Sequence, residues 1–431
     1  MLVSIQNLGC SKNQVDGERI LQLFVNNGFA IAEDHSASDI IIVNTCAFIK
    51  EAQEEAIAAI LDMTQIRKNG RCRTLIVSGC FSQRYRENVN REFPEVDIWA
   101  GVDDWEKLLH SLLKDKYKSS KQNHSRFERA LSEPIATQYI KIAEGCSHSC
   151  SFCVIPSIRG KFKSRNQNDI IEEARWLCEK GTRELILVAQ DTSFYGRDIN
   201  TNLITLLETL LKNTQFPWIR MMYLHPQLVS DDLLTLIAAE ERLCSYFDIP
   251  LQHISDTILK SMNRRPLSKE LYRLVDRIKS KVSGATLRSS FILGYPGETE
   301  KEHSELKQFI QYARFHKMGV FPFSPEEGTK AYNMRPRPRG ATVQRRCDEL
   351  MSIQQEISRE LLEEKIGSKQ QIIIDRVSDD HDFNYEGRTL GDAPEVDGRV
   401  FIQSGDFNPG EIVTLKIIGA SDYDLYAEYT A

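Results

Sequence analysis

The sequence predicts an α/β protein in three parts. These are an N-terminal α/β domain on a parallel sheet (residues 1–125), a central partial (β/α)6 barrel (132–366) and a small antiparallel β-barrel at the C-terminus (367–431). Three observations predict it. Apolar runs ending in turn residues alternate with helix-period stretches through the first part, as expected for parallel strands with crossover helices. The alternation resumes after 132 with six strand candidates, two short of the eight that close a full barrel. From Gly367 the pattern changes to short β-rich runs.

In the first part, Leu2 to Leu8, Ile40 to Val43 and Leu75 to Val77 read as buried strands, with helices over Asp16 to Asn27 and Lys50 to Ile66. Each strand runs into a cysteine: Gly9-Cys10, Asn44-Thr45-Cys46 and Ser78-Gly79-Cys80. Ligands of parallel sheets gather outside the carboxyl ends of the strands, so three thiols spaced 36 and 34 residues apart are placed to converge on one site. Any one of them alone would read as a buried core thiol. Cys72 precedes its strand, at the opposite end of the sheet, and is read as structural.

In the central part, the strands are Tyr139 to Ala143, Glu184 to Val188, Trp218 to Met222, Ser245 to Ile249, Thr286 to Ile292 and Met318 to Phe321. Helical stretches such as Ile170 to Lys180 lie between them. After the first strand comes Cys146-Ser147-His148-Ser149-Cys150-Ser151-Phe152-Cys153. Three cysteines in eight residues are too few for the four ligands of a structural zinc, and an odd number for disulfides. They suit an iron–sulfur cube with one iron left open to a substrate or cofactor. A zinc site with His148 as fourth ligand is the competing reading, disfavoured by its spacing. Cys178 and Cys347 fall in helical patterns and Cys244 before a strand; all three are read as structural. The rim segments Ala189-Gln190-Asp191-Thr192, Leu251-Gln252-His253 and Gly294-Tyr295-Pro296-Gly297-Glu298-Thr299 follow strands, where barrel sites are built. Gly294 and Gly297 equally suit a tight turn, and His253 a core histidine.

The third part carries strand candidates Gln371 to Val377, Tyr385 to Thr389, Gly398 to Gln403, Ile412 to Ile418 and Asp424 to Tyr429. It is strongly acidic, with 13 Asp and Glu against 5 Lys and Arg, a net of −8. Binding a phosphate backbone calls for a basic surface, whereas an acidic module suits a basic protein partner or merely keeps a small domain soluble. The basic, proline-rich run Arg335 to Gly340 reads as a solvated connection. The whole chain has a charge of −6, no apolar run near the roughly 18 residues of a membrane span, and no basic-then-apolar N-terminal stretch. A cytoplasmic protein without membrane contact follows, in which ten cysteines serve as ligands or thiols rather than bridges.

The pattern Cys-x3-Cys-x-aromatic-Cys resembles the signature of the radical S-adenosylmethionine (AdoMet) enzymes. The resemblance implies a 4Fe-4S cluster on Cys146, Cys150 and Cys153 whose open iron is chelated by AdoMet, and reductive cleavage to a deoxyadenosyl radical. It also implies AdoMet contacts from Phe152, Gln190, Gln252 and Gly294. Many members carry Gly-Gly-Glu after the second strand; Gln190-Asp191 stands there instead. The segments Leu8 to Asn13, Asn44 to Phe48 and Ser78 to Cys80 resemble the three cysteine motifs of the methylthiotransferases. This implies a second 4Fe-4S cluster on Cys10, Cys46 and Cys80 that carries the sulfur to be inserted. The C-terminal part resembles the TRAM module, an OB-like barrel.

Within that family the segments Asp392 to Gly398, Asp422 to Leu425, Cys153 to Ser157 and Val188 to Thr192 resemble the branch that modifies an aspartate of small-subunit ribosomal protein twelve, a basic chain. That resemblance implies methylthio transfer to the aspartate β-carbon with two AdoMet. The C–H bond there is too weakly acidic for an ordinary base, so no catalytic residue beyond the cluster ligands is expected. A flavodoxin or ferredoxin is the implied electron donor. The alternatives are a tRNA adenosine methylthiotransferase and, from another class, an iron–sulfur RNA-binding protein that senses redox state.

Overall fold

The computed structural model describes residues 1–113 and 127–429; the expected domain boundary at 125 and the last two residues lie outside them. The chain divides into two compact units, one of residues 1–132, 139–148 and 153–176, the other of 133–138, 149–152 and 177–431.

The first unit opens with β1 (Leu2–Asn7), α1 (Ser11–Asn26), β2 (Ala30–Ile31), β3 (Ile40–Thr45), α2 (Lys50–Asn69), β4 (Thr74–Gly79), α3 (Cys80–Val89), β5 (Ile98–Trp99) and α4 (Trp105–Leu113). Its sheet has the order β2-β1-β3-β4-β5 and every pair is parallel. The three expected strands are its centre. Two-residue β2 and β5 were not foreseen, since so short a run carries no period. β3 shows why a continuous apolar run makes a buried strand: successive side chains point to opposite faces. Ile41 and Val43 join one core with Leu75, Val77 and Phe81, while Ile40 and Ile42 join the other with Val3, Phe24 and Leu109.

The chain continues through β6 (Thr137–Lys141), β7 (Ala143–Glu144), α5 (Ile155–Arg159), β8 (Lys163–Ser164) and α6 (Gln167–Glu179). β7 and β8 form a short antiparallel pair. Val154 and Ile158 sink into the core lined by Val77 and Phe81, which fixes α5 beside α3. Glu173 of α6 is fully buried among Arg19, Arg129 and Arg165, at 3.0, 3.1 and 2.7 Å.

The second unit carries β9 (Glu184–Val188), α7 (Leu203–Asn213), β10 (Trp218–Met221), α8 (Asp231–Ala239), β11 (Tyr246–Asp248), α9 (Asp256–Ser261), α10 (Ser268–Lys281), β12 (Thr286–Leu293), α11 (Glu300–Ala313), β13 (Lys317–Pro322) and α12 (Gly340–Glu363). The six expected barrel strands are present as two three-stranded sheets, β10-β9-β6 and β11-β12-β13. A single parallel bridge, Ile219 to Leu243, links β10 to the segment before β11. The barrel is therefore partial, as the strand number required.

The unit ends with β14 (Lys369–Val377), β15 (Tyr385–Thr389), β16 (Val400–Ile402), β17 (Ile412–Ala420) and β18 (Leu425–Glu428), a closed barrel in the order β14-β15-β16-β18-β17. Four of its pairings are antiparallel, as expected, but β16 and β18 run parallel. Alternating Ile372, Ile374, Leu415 and Ile417 fill it. Cys178 and Cys347 lie on helices and Cys244 precedes β11, the places expected of them.

Candidate functional site

β1, β3 and β4 are paired in register, with Asn7 opposite Asn44, Asn44 opposite Ser78, and Thr45 opposite Gly79. Parallel strands in register end level. Cys46 and Cys80 follow those ends directly and Cys10 comes three residues after its own, all on the same edge of the sheet, Cys10 as the cap of α1 and Cys80 as the first residue of α3.

The backbone there is shaped for close approach. Gly9 has φ +88°, and a Cβ on it would lie 2.6 Å from Cys46 Cβ; Gly79 has φ +89°, and its Cβ would lie 2.5 Å from the Thr45 carbonyl oxygen. Only glycine takes this conformation at so crowded a place without strain. Asn13 ties the edge together, its Nδ2 donating to the carbonyls of Leu8 (2.7 Å) and Asn44 (3.3 Å). Asn44 Nδ2 donates to Asn7 Oδ1 and to the Asn13 carbonyl, both at 2.9 Å.

The three thiols sense one another. Burial pushes Cys46 up to about 11, with the charges of Cys10 and Cys80 adding to it; burial likewise raises Cys80, against Arg159. Burial opposes ionisation of Cys10 too, but Lys12, the Asn13 backbone N–H and Arg159 together outweigh it and hold the thiol below its usual value. Among the described residues no three Cys, His, Asp or Glu side chains gather tightly enough for a single metal ion. Three thiols at one edge, met by backbone N–H groups and a guanidinium, are a donor set that fits an iron–sulfur cluster.

Arg159 is the residue sequence reasoning missed. Its side chain is 2% exposed, and its Nε donates to Cys80 Sγ at 3.2 Å. Nη1 meets Asp16 at 2.7 Å and Glu144 at 3.2 Å, and Nη2 donates to Asn13 Oδ1 at 3.0 Å. Lys141 bridges the same two carboxylates, contacting Asp16 and standing 2.7 Å from Glu144. Its position in the sequence holds no signal, because Asp16 and Cys80 reach it only through the fold. The Gly-Cys pairs at 9–10 and 79–80 did carry a signal, the glycine repeated before the thiol.

The cysteine loop from 146 to 153 follows β7 and leads into α5. In the first unit the Cys146 N–H donates to the Gly160 carbonyl (3.1 Å) and the Phe162 N–H to Ser147 Oγ (3.1 Å). In the second unit the Ser151 N–H donates to the Met262 carbonyl (3.0 Å), Ser151 Oγ and the Tyr295 hydroxyl share a hydrogen bond (2.7 Å), and Arg264 Nη1 donates to Cys150 Sγ (3.8 Å). Phe152 packs on Ile258, Met262 and Tyr295. Of the other residues expected to touch AdoMet, Gln190 follows β9, Gln252 lies in the left-handed region after β11, and Gly294 follows β12 with its N–H donating to Glu298 (2.7 Å). All stand beyond the carboxyl ends of their strands. Glu298 is held by Arg346 at 2.6 Å. His253 is fully buried with Nδ1 accepting from the Ser255 N–H (3.0 Å), while Nε2 has no partner among the described residues; burial pushes it down to about 3.

Three family models match the chain in succession: the uncharacterized protein family UPF0004 over residues 2–101, the radical SAM superfamily over 140–310 and the TRAM domain over 366–429. The chain is 41% identical to the ribosomal protein uS12 methylthiotransferase RimO of Pelobacter propionicus, covering 99% of this chain and 97% of that protein. The chain belongs to the RimO family of methylthiotransferases. The Geobacter sulfurreducens RimO is likewise 41% identical, over 99% of this chain and 98% of its own. Among solved structures, the radical AdoMet methyltransferase TsrM from Kitasatospora setae superposes with a TM-score of 0.56 at 12% identity, over 88% of this chain and 81% of that one, a likeness of fold. In RimO terms, the cysteine edge lies in the UPF0004 segment and the cysteine loop in the radical SAM segment.

Proposed function

We propose that this chain is a radical AdoMet methylthiotransferase that places a methylthio group on the β-carbon of an aspartate of ribosomal protein uS12. The observation that carries the two-site part of this reading is the level edge of β1, β3 and β4, which brings Cys10, Cys46 and Cys80 within electrostatic reach of one another. Cys10, Cys46 and Cys80 would hold an auxiliary 4Fe-4S cluster, and Cys146, Cys150 and Cys153 the AdoMet-binding one. When bound, these groups supply the one-electron chemistry and the sulfur.

The chain's own residues bind, orient and shield. Phe152, Gln190, Gln252 and Gly294 would contact AdoMet around the cysteine loop, and Gly9 and Gly79 let the strand ends close on the auxiliary site. Domain bounds of 1–125, 132–366 and 367–431 fit this division of labour, with a flavodoxin or ferredoxin as donor in the cytoplasm. No helix among the described residues is long and apolar enough to cross a membrane. The exposed Asp379, Asp380, Asp382, Glu395, Asp406 and Glu411 favour a basic protein over a phosphate backbone as the partner of the C-terminal barrel.

The test is the Cys10→Ala, Cys46→Ala, Cys80→Ala variant, reconstituted anaerobically and supplied with dithionite and AdoMet. It should release deoxyadenosine yet form no methylthio product. Full turnover would overturn the auxiliary role, and a wild-type enzyme that modifies tRNA but not uS12 in parallel assays would overturn the substrate.

A further inference from the structure

We infer that Arg159 is a positioning residue that raises the reduction potential of the auxiliary cluster by donating a hydrogen bond to the Cys80 sulfur. The inference rests on the reading that Cys10, Cys46 and Cys80 hold that cluster.

The guanidinium has no freedom to do anything else. Nη1 and Nη2 are held by Asp16, Glu144 and Asn13, which leaves Nε as the group presented to Cys80 Sγ. Asp16 and Asn13 belong to the first turns of α1, the helix capped by Cys10. Two of the three cysteines are thereby in register with the same guanidinium. The two cations Arg159 and Lys141 face the two carboxylates Asp16 and Glu144, so the network is near neutral and acts on the sulfur mainly through the oriented N–H. Adding an electron to a cluster raises the negative charge on its sulfurs, and a buried donor aimed at one of them favours that reduced state.

Arg159 also ends α5, which follows the cysteine loop, and its neighbour Gly160 accepts the backbone N–H of Cys146. One short helix therefore links the residue beside Cys80 to the first cysteine of the other set.

The experiment uses the full chain with Cys146→Ala, Cys150→Ala and Cys153→Ala, so that only the auxiliary cluster is read. Its midpoint potential is measured by redox titration with electron paramagnetic resonance detection, alongside iron content and circular dichroism. Adding Arg159→Met should leave the cluster loaded and move the potential to more negative values, and Arg159→Lys, which keeps charge without the fork, should move it by less. Loaded variants with an unmoved potential overturn the proposal. Folded variants that both fail to load also overturn it, since Arg159 would then be a structural prop. A parent that loads no cluster overturns instead the reading on which the proposal stands.

Discussion

Glu184, the first residue of β9, and Arg388 of the C-terminal barrel meet at 2.8 Å, both shielded from solvent. Arg220 closes on the other carboxylate oxygen at 2.7 Å, and also donates to the Leu390 carbonyl at 2.9 Å. Thr137 of β6 completes the contact, donating to Glu184 at 3.3 Å and accepting from Arg388 at 3.0 Å. The C-terminal barrel is thus pinned to the central strands by a charged core rather than hung from a linker. Burial works against ionisation of Glu184, but Arg388 and Arg220 outweigh it and keep the carboxyl below its ordinary range.

Removing that carboxylate leaves Arg220 without a carboxylate partner in a dry site, while Arg388 keeps only Asp375. Glu184→Ala should lower unfolding stability by about 3–5 kcal/mol in chemical denaturation. Glu54→Gln, which breaks the exposed Lys50–Glu54 pair on α2, should cost ~0–1 kcal/mol. Equal midpoints for the two variants would contradict the pinning.

At the cysteine edge, Gly79→Ala combines a left-handed backbone with a methyl driven against the Thr45 carbonyl. The conformational part alone costs about 1–3 kcal/mol, and relief of the clash must move a strand end. Iron analysis of reconstituted protein should show less iron in Gly79→Ala than in wild type if Cys10, Cys46 and Cys80 hold the proposed cluster. Gly28→Ala, at a similar φ of +86° but with open space around it, should retain its iron.

Acid should weaken the Asp392 contact of the C-terminal barrel. Asp392 stands 2.7 Å from Lys317 of β13. Burial opposes its ionisation, yet Lys317 and Lys365 prevail and bring it down to about 2 from 3.8. A carboxylate whose folded value lies below its unfolded value stabilises the fold above about pH 4 and loses that contribution as pH falls toward 2. Asp392→Asn should therefore melt well below wild type at pH 7, by on the order of 2 kcal/mol, with the gap closing as pH drops from 4 to 2. A gap independent of pH would refute the charge pairing.

Asp392 also changes how the acidic barrel is read. Of its 13 acidic residues, Asp392 pairs with Lys317, while Asp397 lies 3.4 Å from Arg288 and accepts the Tyr246 hydroxyl at 2.6 Å. Both are turned inward toward the central strands. The segment Asp392 to Gly398 resembled a family motif in the sequence, and part of its chemistry is this anchoring. The negative surface left for a partner comes from other residues, among them Asp379, Asp380 and Asp382.

What the sequence determined by itself was local: apolar runs of strand length, the helical period between them, and the cysteines set at the strand ends or packed into one loop. Those features depend on neighbours along the chain, which is why Ile40 to Val43 and Glu184 to Val188 were legible as strands and Cys10, Cys46 and Cys80 as one edge. Two-residue strands, and α5 with its five residues, were too short to carry a period. Tertiary structure alone decided which charges meet in the dark. Arg159 reaches Cys80 and Asp16, and Glu184 reaches Arg388, across long stretches of chain. Because the worth of a buried ion pair depends on a partner that only folding supplies, no spacing in the sequence could announce it.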